Sequence, residues 1–195
     1  MGKVMLETSA VLIFIATAFI SLVPGQSPAS SPEFWSPPYS SDIKTYTSSS
    51  INNFKIDFVG TPVVEEGRGV ISNYVARLPR SLMSVRVIQF SKSELERVTS
   101  SEMLGQVKVA YGTSQGYKIL ETFRDEAATI DFLSSNETTL RRVRAHLVGD
   151  KLFELYVELP QFQRLKDVHP ERLAAFSREA DRFFNSFEIV KKKTR

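Results

Sequence analysis

The chain has 195 residues, of which 42% are hydrophobic, a formal net charge of +3 and no cysteine. This length suits one globular domain with extensions. The weak net charge, made up of mixed signs, gives no argument for nucleic-acid binding. The absence of cysteine excludes disulfides, thiol catalysis and cysteine-ligated metal sites.

Residues 10–23 form an uncharged apolar run of fourteen residues close to the N-terminus. A membrane-spanning helix needs about 20 residues, so this length favours a signal peptide. Small residues at Ser27 and Ala29 predict cleavage after Ala29, which makes residues 1–29 the signal peptide. We expect the protein to be exported to the periplasm or secreted. The alternative is an uncleaved N-terminal anchor, the only contact with a membrane that the sequence suggests.

Residues 30–50 are rich in proline and serine, which predicts a linker because such segments have little apolar surface to bury. Three aromatic residues in this region, Trp35, Tyr39 and Tyr46, are interpreted as linker residues. Docking of these rings on the domain or on a partner is the alternative. The folded domain is predicted at residues 51–190, followed by a basic tail at 191–195.

The first strand of the domain is predicted where Phe54, Ile56 and Phe58 alternate with polar residues, before Gly60 stops the pattern. Apolar patterns predict further strands at residues 71–78, 83–90, 117–123 and 128–134. A short helix is predicted around residues 102–111, with Ser100 or Ser101 as its N-cap.

A β-hairpin is predicted around the turn at Gly149 and Asp150. A plain two-residue turn would pair Val148 with Lys151 and place charged residues opposite apolar ones. A register shifted by one residue exchanges the faces. It pairs Val143, Ala145 and Leu147 with Val157, Leu155 and Phe153, and we predict this shifted register. Its outer face would be a polar interaction surface, formed by Arg142, Arg144, His146, Glu154 and Glu158.

A helix starting at Pro170 is predicted from apolar residues at steps of three and four. The stripe consists of Leu173, Phe176, Ala180, Phe183 and Phe187. A short exit strand follows at residues 187–189. Strands with two separated helices indicate an α+β fold, in which the helices pack on an antiparallel sheet.

A search for catalytic, cofactor and metal motifs predicts none of these sites. The two histidines, His146 and His169, are interpreted as a cross-strand surface residue and a loop residue. One enzymatic alternative stays open, a hydrolase whose site involves His146 and Glu154.

Three short segments resemble bacterial exported domains related to the PsbP/Mog fold. Residues 58–62 (FVGTP) resemble the F-P-G-x-P opening of that family, with Val59 in place of the proline. Residues 144–156 (RAHLVGDKLFELY) resemble its hairpin, and residues 181–187 (DRFFNSF) resemble its closing helix end. The resemblance spans about residues 51–190. It implies an α/β/α sandwich built on an antiparallel sheet.

The resemblance also implies a binding or assembly module that is not an enzyme. Relatives in plants and cyanobacteria assist photosystem II, a nuclear relative binds the Ran GTPase, and some bacterial relatives are adaptors for secreted effectors. These roles differ so widely that the fold cannot select among them. Our leading hypothesis is an exported module that contacts a protein or an envelope component, without a cofactor. The alternatives are the hydrolase and a small-ligand carrier with its ligand between helix and sheet.

Overall fold

The computed structural model describes residues 43–48, 52–66, 71–78, 81–136, 138–160 and 170–190. The predicted signal peptide, Trp35, Tyr39, His169 and the basic tail lie outside these residues. Among the residues described, no helix is both long and apolar enough to cross a membrane.

The described parts of the chain contain ten strands and three α-helices. The strands are β1 (Ile43–Thr47), β2 (Phe54–Val59), β3 (Val63–Glu66), β4 (Ile71–Arg77), β5 (Leu82–Gln89), β6 (Lys118–Glu126), β7 (Thr129–Ser135), β8 (Thr139–Val148), β9 (Lys151–Pro160) and β10 (Glu188–Ile189). The helices are α1 (Lys92–Leu95), α2 (Ser100–Val107) and α3 (Pro170–Asn185). A π-helical segment, Lys108–Thr113, continues α2.

The strand pairings among the described residues are all antiparallel and form two sheets. The larger sheet has seven strands in the order β3-β4-β5-β9-β8-β7-β6, and the smaller has the order β1-β2-β10. One face of the large sheet, which we call the α3 face, packs against β2 and α3. The opposite face, which we call the α2 face, packs against α2 and the π-helical segment. This architecture confirms the predicted α+β class with helices on an antiparallel sheet.

The smaller sheet contains a strand, β1, that the proline- and serine-rich composition of residues 30–50 did not predict. Residues 43–47, predicted as linker, form β1 and pair with β2 from Ile43–Val59 to Thr47–Lys55. The ring of Tyr46 lies 6.2 Å from Phe58 and 5.5 Å from Tyr74, measured between centroids. Residues 43–47 therefore belong to the folded domain and not to a linker, because pairing with β2 and ring packing stabilise this polar segment.

The register of the β8–β9 hairpin is the plain one, so the predicted shift is wrong. Val148 pairs with Lys151, and His146 pairs with Phe153. Gly149, the first turn residue, has a φ of 63°, which suits a two-residue hairpin turn that begins with glycine. The shifted register requires a hairpin that buries only one face. Here both faces are covered, so an apolar residue can lie opposite a charged one.

Two helix starts carry capping boxes. The N-cap of α2 is Thr99, one residue before the predicted serines, because its hydroxyl accepts from the Glu102 N–H and Glu102 accepts from the Thr99 N–H. The same arrangement of Ser91 with Glu94 starts α1, which was not predicted.

Helix α3 begins at Pro170 as predicted, and its apolar stripe faces the core. Phe176, Ala180 and Phe183 are each at most 1% exposed. The predicted exit strand is also confirmed, because β10 pairs with β2. These contacts fix the helix across the α3 face, next to the charged residues of β7 and β8.

Candidate functional site

The five residues predicted to form one polar surface lie on opposite faces of the large sheet. The β8–β9 register and the side-chain contacts place Arg142, Arg144 and His146 on the α3 face and Glu154 and Glu158 on the α2 face. The shifted register would have paired Arg142 with Glu158 and His146 with Glu154, and neither pair lies opposite in the sheet. The hydrolase hypothesis needed His146 and Glu154 on one surface, and the sheet separates them.

On the α3 face, a buried carboxylate binds two arginines; we call this group the Asp131 cluster. Asp131 is 2% exposed, and its Oδ1 accepts from the Nε of Arg142. Its Oδ2 accepts from the Nε of Arg144 at 2.8 Å and lies 2.7 Å from Arg144 Nη2. Helix α3 completes the cluster with Asp181, whose Oδ1 lies 3.4 Å from Arg142 Nη2, and Asn185, which accepts from Arg144 at 2.8 Å. The cluster therefore ties α3 to β7 and β8.

Aromatic rings cover both arginines of the Asp131 cluster. The guanidinium carbon of Arg142 lies 3.4 Å from the ring centroid of Phe123, on β6. That of Arg144 lies 4.9 Å from the centroid of Phe184, on α3. Both distances suit cation–π contacts. Phe123 is thus held against a buried cation although 44% of it is exposed.

His146 lies at the end of the same face. Its ring stacks on Phe187 at 5.8 Å with an interplanar angle of 2°, and its Nδ1 lies 3.0 Å from the Thr129 hydroxyl. The pKa of His146 is lowered to about 4, and burial of the ring is the largest cause. The positive charges of Arg144 and Arg124 act in the same direction, while Asp131 opposes them. His146 is therefore neutral near pH 7.

The α2 face holds a second buried group, the Glu154 cluster of Glu154, Tyr111 and Arg86. Glu154 and Tyr111 are 0% exposed and Arg86 is 3% exposed. The Tyr111 hydroxyl donates to Glu154 Oε2 at 2.7 Å, and Arg86 Nη1 lies 3.5 Å from the same oxygen. Within the described residues, Glu154 Oε1 has no hydrogen-bond partner. Burial raises the pKa of Glu154, and Arg86 and the Tyr111 hydrogen bond oppose this in part.

An ion pair that was not predicted lies beside the Glu154 cluster. Arg141 donates to Glu158 Oε2 from Nε at 2.9 Å and from Nη2 at 2.6 Å. It also donates to the Tyr117 hydroxyl at 3.0 Å and lies 4.2 Å from that ring's centroid. The plain hairpin register would have identified this pair, because it places Arg141 directly opposite Glu158.

Outside these clusters, a cleft of about 170 Å³ lies between α2 and the β6–β7 turn, where Lys108 pairs with Asp125. Small-molecule sites usually measure about 300–1,000 Å³. No group of three or more histidine, aspartate or glutamate side chains suited to a metal ion occurs in the described ranges.

The exposed margin of the sheet at β6 has an unusual structure. Within the described part of the chain, β6 pairs with β7 only. One residue is inserted between Ile119 and Glu121 and another between Thr122 and Arg124, relative to β7. These two bulges contain Leu120 and Phe123, which are 46% and 44% exposed. We call this strand and its two bulge residues the β6 edge.

Comparison with known proteins finds similarity in structure. No protein-family model matches the sequence, and neither does any curated protein. The solution structure of cyanobacterial PsbP (CyanoP) from Synechocystis sp. PCC 6803 is similar with 9% identity and a TM-score of 0.48, over 80% of this chain and 98% of that one. A crystal structure from Bacteroides thetaiotaomicron VPI-5482 is similar with 11% identity and a TM-score of 0.39, over 77% of this chain and 50% of that one.

Proposed function

We propose that the protein is an exported, non-enzymatic binding and assembly module that contacts a protein or an envelope component through the β6 edge. The single observation that carries this proposal is the exposure of Leu120 and Phe123 in the two bulges of β6, an edge strand of the large sheet. Bulges at sheet margins redirect side chains, and they are frequent next to functional sites. The resemblance to PsbP/Mog-like domains is consistent with such a role.

Phe123 has the properties of an interface anchor. Its ring rests on the guanidinium group of Arg142, which is 2% exposed and which Asp131 and Asp181 hold in place. An aromatic side chain whose position is fixed before binding loses little conformational freedom in a complex. Aromatic residues of this kind dominate the binding energy of many interfaces.

Crosslinking in the cells that produce the protein tests this surface. A photoreactive benzoylphenylalanine replaces Leu120 in one variant and Phe123 in another. The matched control carries it at Val63, which is 63% exposed on β3 at the opposite margin of the sheet. We expect protein adducts from positions 120 and 123. Adducts that are absent at both positions, or equally abundant at Val63, would contradict the proposal.

Export is the second part of the proposal, and it rests on the apolar run at residues 10–23 and the proline-rich segment after it. N-terminal sequencing of the protein from the envelope or secreted fraction should find a chain that begins at Ser30. A chain that retains Met1 and fractionates with membranes would favour the uncleaved anchor. Recovery from the cytoplasm alone would contradict export.

The carrier and hydrolase alternatives receive no support from a specific contact. A ligand between helix and sheet would need space that packed rings occupy, since Phe183 of α3 lies 5.3 Å from Phe58 between centroids. Phe176 and Phe183 are each 1% exposed. The hydrolase alternative loses its site because the sheet separates His146 from Glu154.

A further inference from the structure

We propose that the β6 edge docks on the β6 edge of a second copy of this chain, forming an antiparallel pair with Thr122 on the two-fold axis. This inference rests on the proposed function, because it names the partner of the same surface. Within the described residues, the outer side of this nine-residue strand has no strand partner. Backbone donors and acceptors on such an edge are available to another strand.

The two bulges make β6 complementary to itself. Ile119, Thr122 and Asp125 pair with Ser134, Phe132 and Ile130, so all three belong to the α2 face, at steps of three residues. Each step contains one inserted residue. Pairing about Thr122 places Ile119 opposite Asp125 of the second copy, and the inserted Leu120 of one strand is balanced by the inserted Phe123 of the other. The faces of the two sheets therefore stay matched.

The same bulges exclude an ordinary strand. A regular strand exposes its side chains to one face at every second residue and cannot match steps of three. Bulges on edge strands are one means by which proteins prevent indiscriminate pairing. A strand whose bulges have the same spacing avoids this mismatch. The β6 strand of a second copy is such a strand.

Charge selects the register. Lys118 and Glu126 pair with Ser135 and Thr129 on the α3 face, and pairing about Thr122 brings each opposite the other, twice by symmetry. Opposite charges at facing positions are favourable and like charges are not. Sliding one strand by two residues in one direction would place like charges opposite each other. Lys118 would face Arg124, and the two Glu121 residues would face each other. Sliding it in the other direction would bring Glu121 opposite Asp125.

The bulge residues of the two copies also come close together in this arrangement. Leu120 of one copy lies opposite Arg124 of the other, which follows Phe123 in the sequence. Because the two-fold axis repeats this approach, docking brings the bulge residues of both copies to the interface.

Engineered cysteines test this geometry cleanly because the native chain contains none. The substitution Thr122→Cys places two identical thiols on the axis, where facing Cβ atoms are about 4.5–5.5 Å apart and a disulfide can form. The full chain is kept in a non-ionic detergent so that its N-terminal apolar run does not associate. Mild oxidation should give a species of twice 22.0 kDa that a reductant reverses. The matched control, Val63→Cys on β3, should stay at the mass of one chain.

A mixed pair of variants tests the register independently of Thr122. Lys118→Cys and Glu126→Cys should each remain largely uncrosslinked alone and should crosslink when mixed. The inference is overturned if Thr122→Cys crosslinks no more than Val63→Cys, or if the wild-type chain sediments as a monomer up to its solubility limit. Photocrosslinks from Leu120 to a different protein would then leave the proposed function standing. Adducts of two copies of this chain would support both.

Discussion

The two faces of the large sheet both bury charged groups, but they pair them to different extents. On the α3 face, both oxygens of Asp131 bind arginine, and Asp181 and Asn185 provide further acceptors. On the α2 face, Tyr111 and Arg86 approach one oxygen of Glu154, and the other oxygen has no hydrogen-bond partner among the described residues. A buried carboxylate that compensates two cations should be harder to replace than one that faces a single cation.

Among the substitutions that test this difference between the faces, we expect Asp131→Asn to reduce stability the most. It preserves the shape of the side chain and leaves the buried Arg142 and the partly buried Arg144 without their main counter-charge. Removing one partner of a buried ion pair costs about 3–5 kcal/mol, and we expect a loss of that size in the free energy of unfolding, measured with urea.

The matched control for this substitution is Asp125→Asn. Asp125 pairs with Lys108 at the surface, where its side chain is 59% exposed. Exposed ion pairs contribute about 0–1 kcal/mol, so the control should change stability little. Equal losses in the two variants would show that the Asp131 cluster does not stabilise the fold more than an exposed ion pair does.

Acidic pH should weaken the α3 face through His146. Its pKa is about 4 in the folded protein and 6.5 without the fold, so the unfolded chain binds more protons between these values. The contribution of neutral His146 to the free energy of unfolding is therefore fully present above about pH 6.5. It is lost as the pH falls towards 4. The loss should reach up to about 3 kcal/mol, from the size of the shift.

The variant His146→Phe isolates this contribution because it keeps a ring against Phe187 and removes the titrating group. Urea unfolding of both proteins between pH 4 and 7 should show a smaller dependence on pH in the variant. Parallel stability curves would mean that His146 titrates alike in the folded and unfolded chains.

The sequence was sufficient to predict the elements whose pattern is local. The helical stripe of α3, the alternation in β2 and the exit strand β10 each follow from a few neighbouring residues. In contrast, β1 lies in a polar, serine-bearing segment, and its stability comes from pairing with β2 and from the contacts of Tyr46. The composition of this segment alone cannot show that it pairs with β2.

The candidate site was harder to predict because the β8–β9 hairpin is covered on both faces. Alternation along one strand then cannot reveal which residues lie together, and the shifted register brought His146 and Glu154 to one surface in error. The partner of Glu154 is also remote in sequence, since Arg86 reaches it through the pairing of β5 with β9. The bulges of β6 likewise became visible only through its pairing with β7.

The substitution Tyr111→Phe gives the smallest effect and the sharpest test of the α2 face. It removes the hydroxyl that donates to Glu154 and keeps the ring that lies 5.7 Å from Tyr156. A hydrogen bond to a charged group contributes about 1.5–3 kcal/mol, and we expect a loss near the lower end in urea unfolding. The matched control, Tyr117→Phe, should cost less because its partner Arg141 keeps two bonds to Glu158. Equal losses in the two variants would contradict this expectation, because Glu154 would then depend on Tyr111 no more than Arg141 depends on Tyr117.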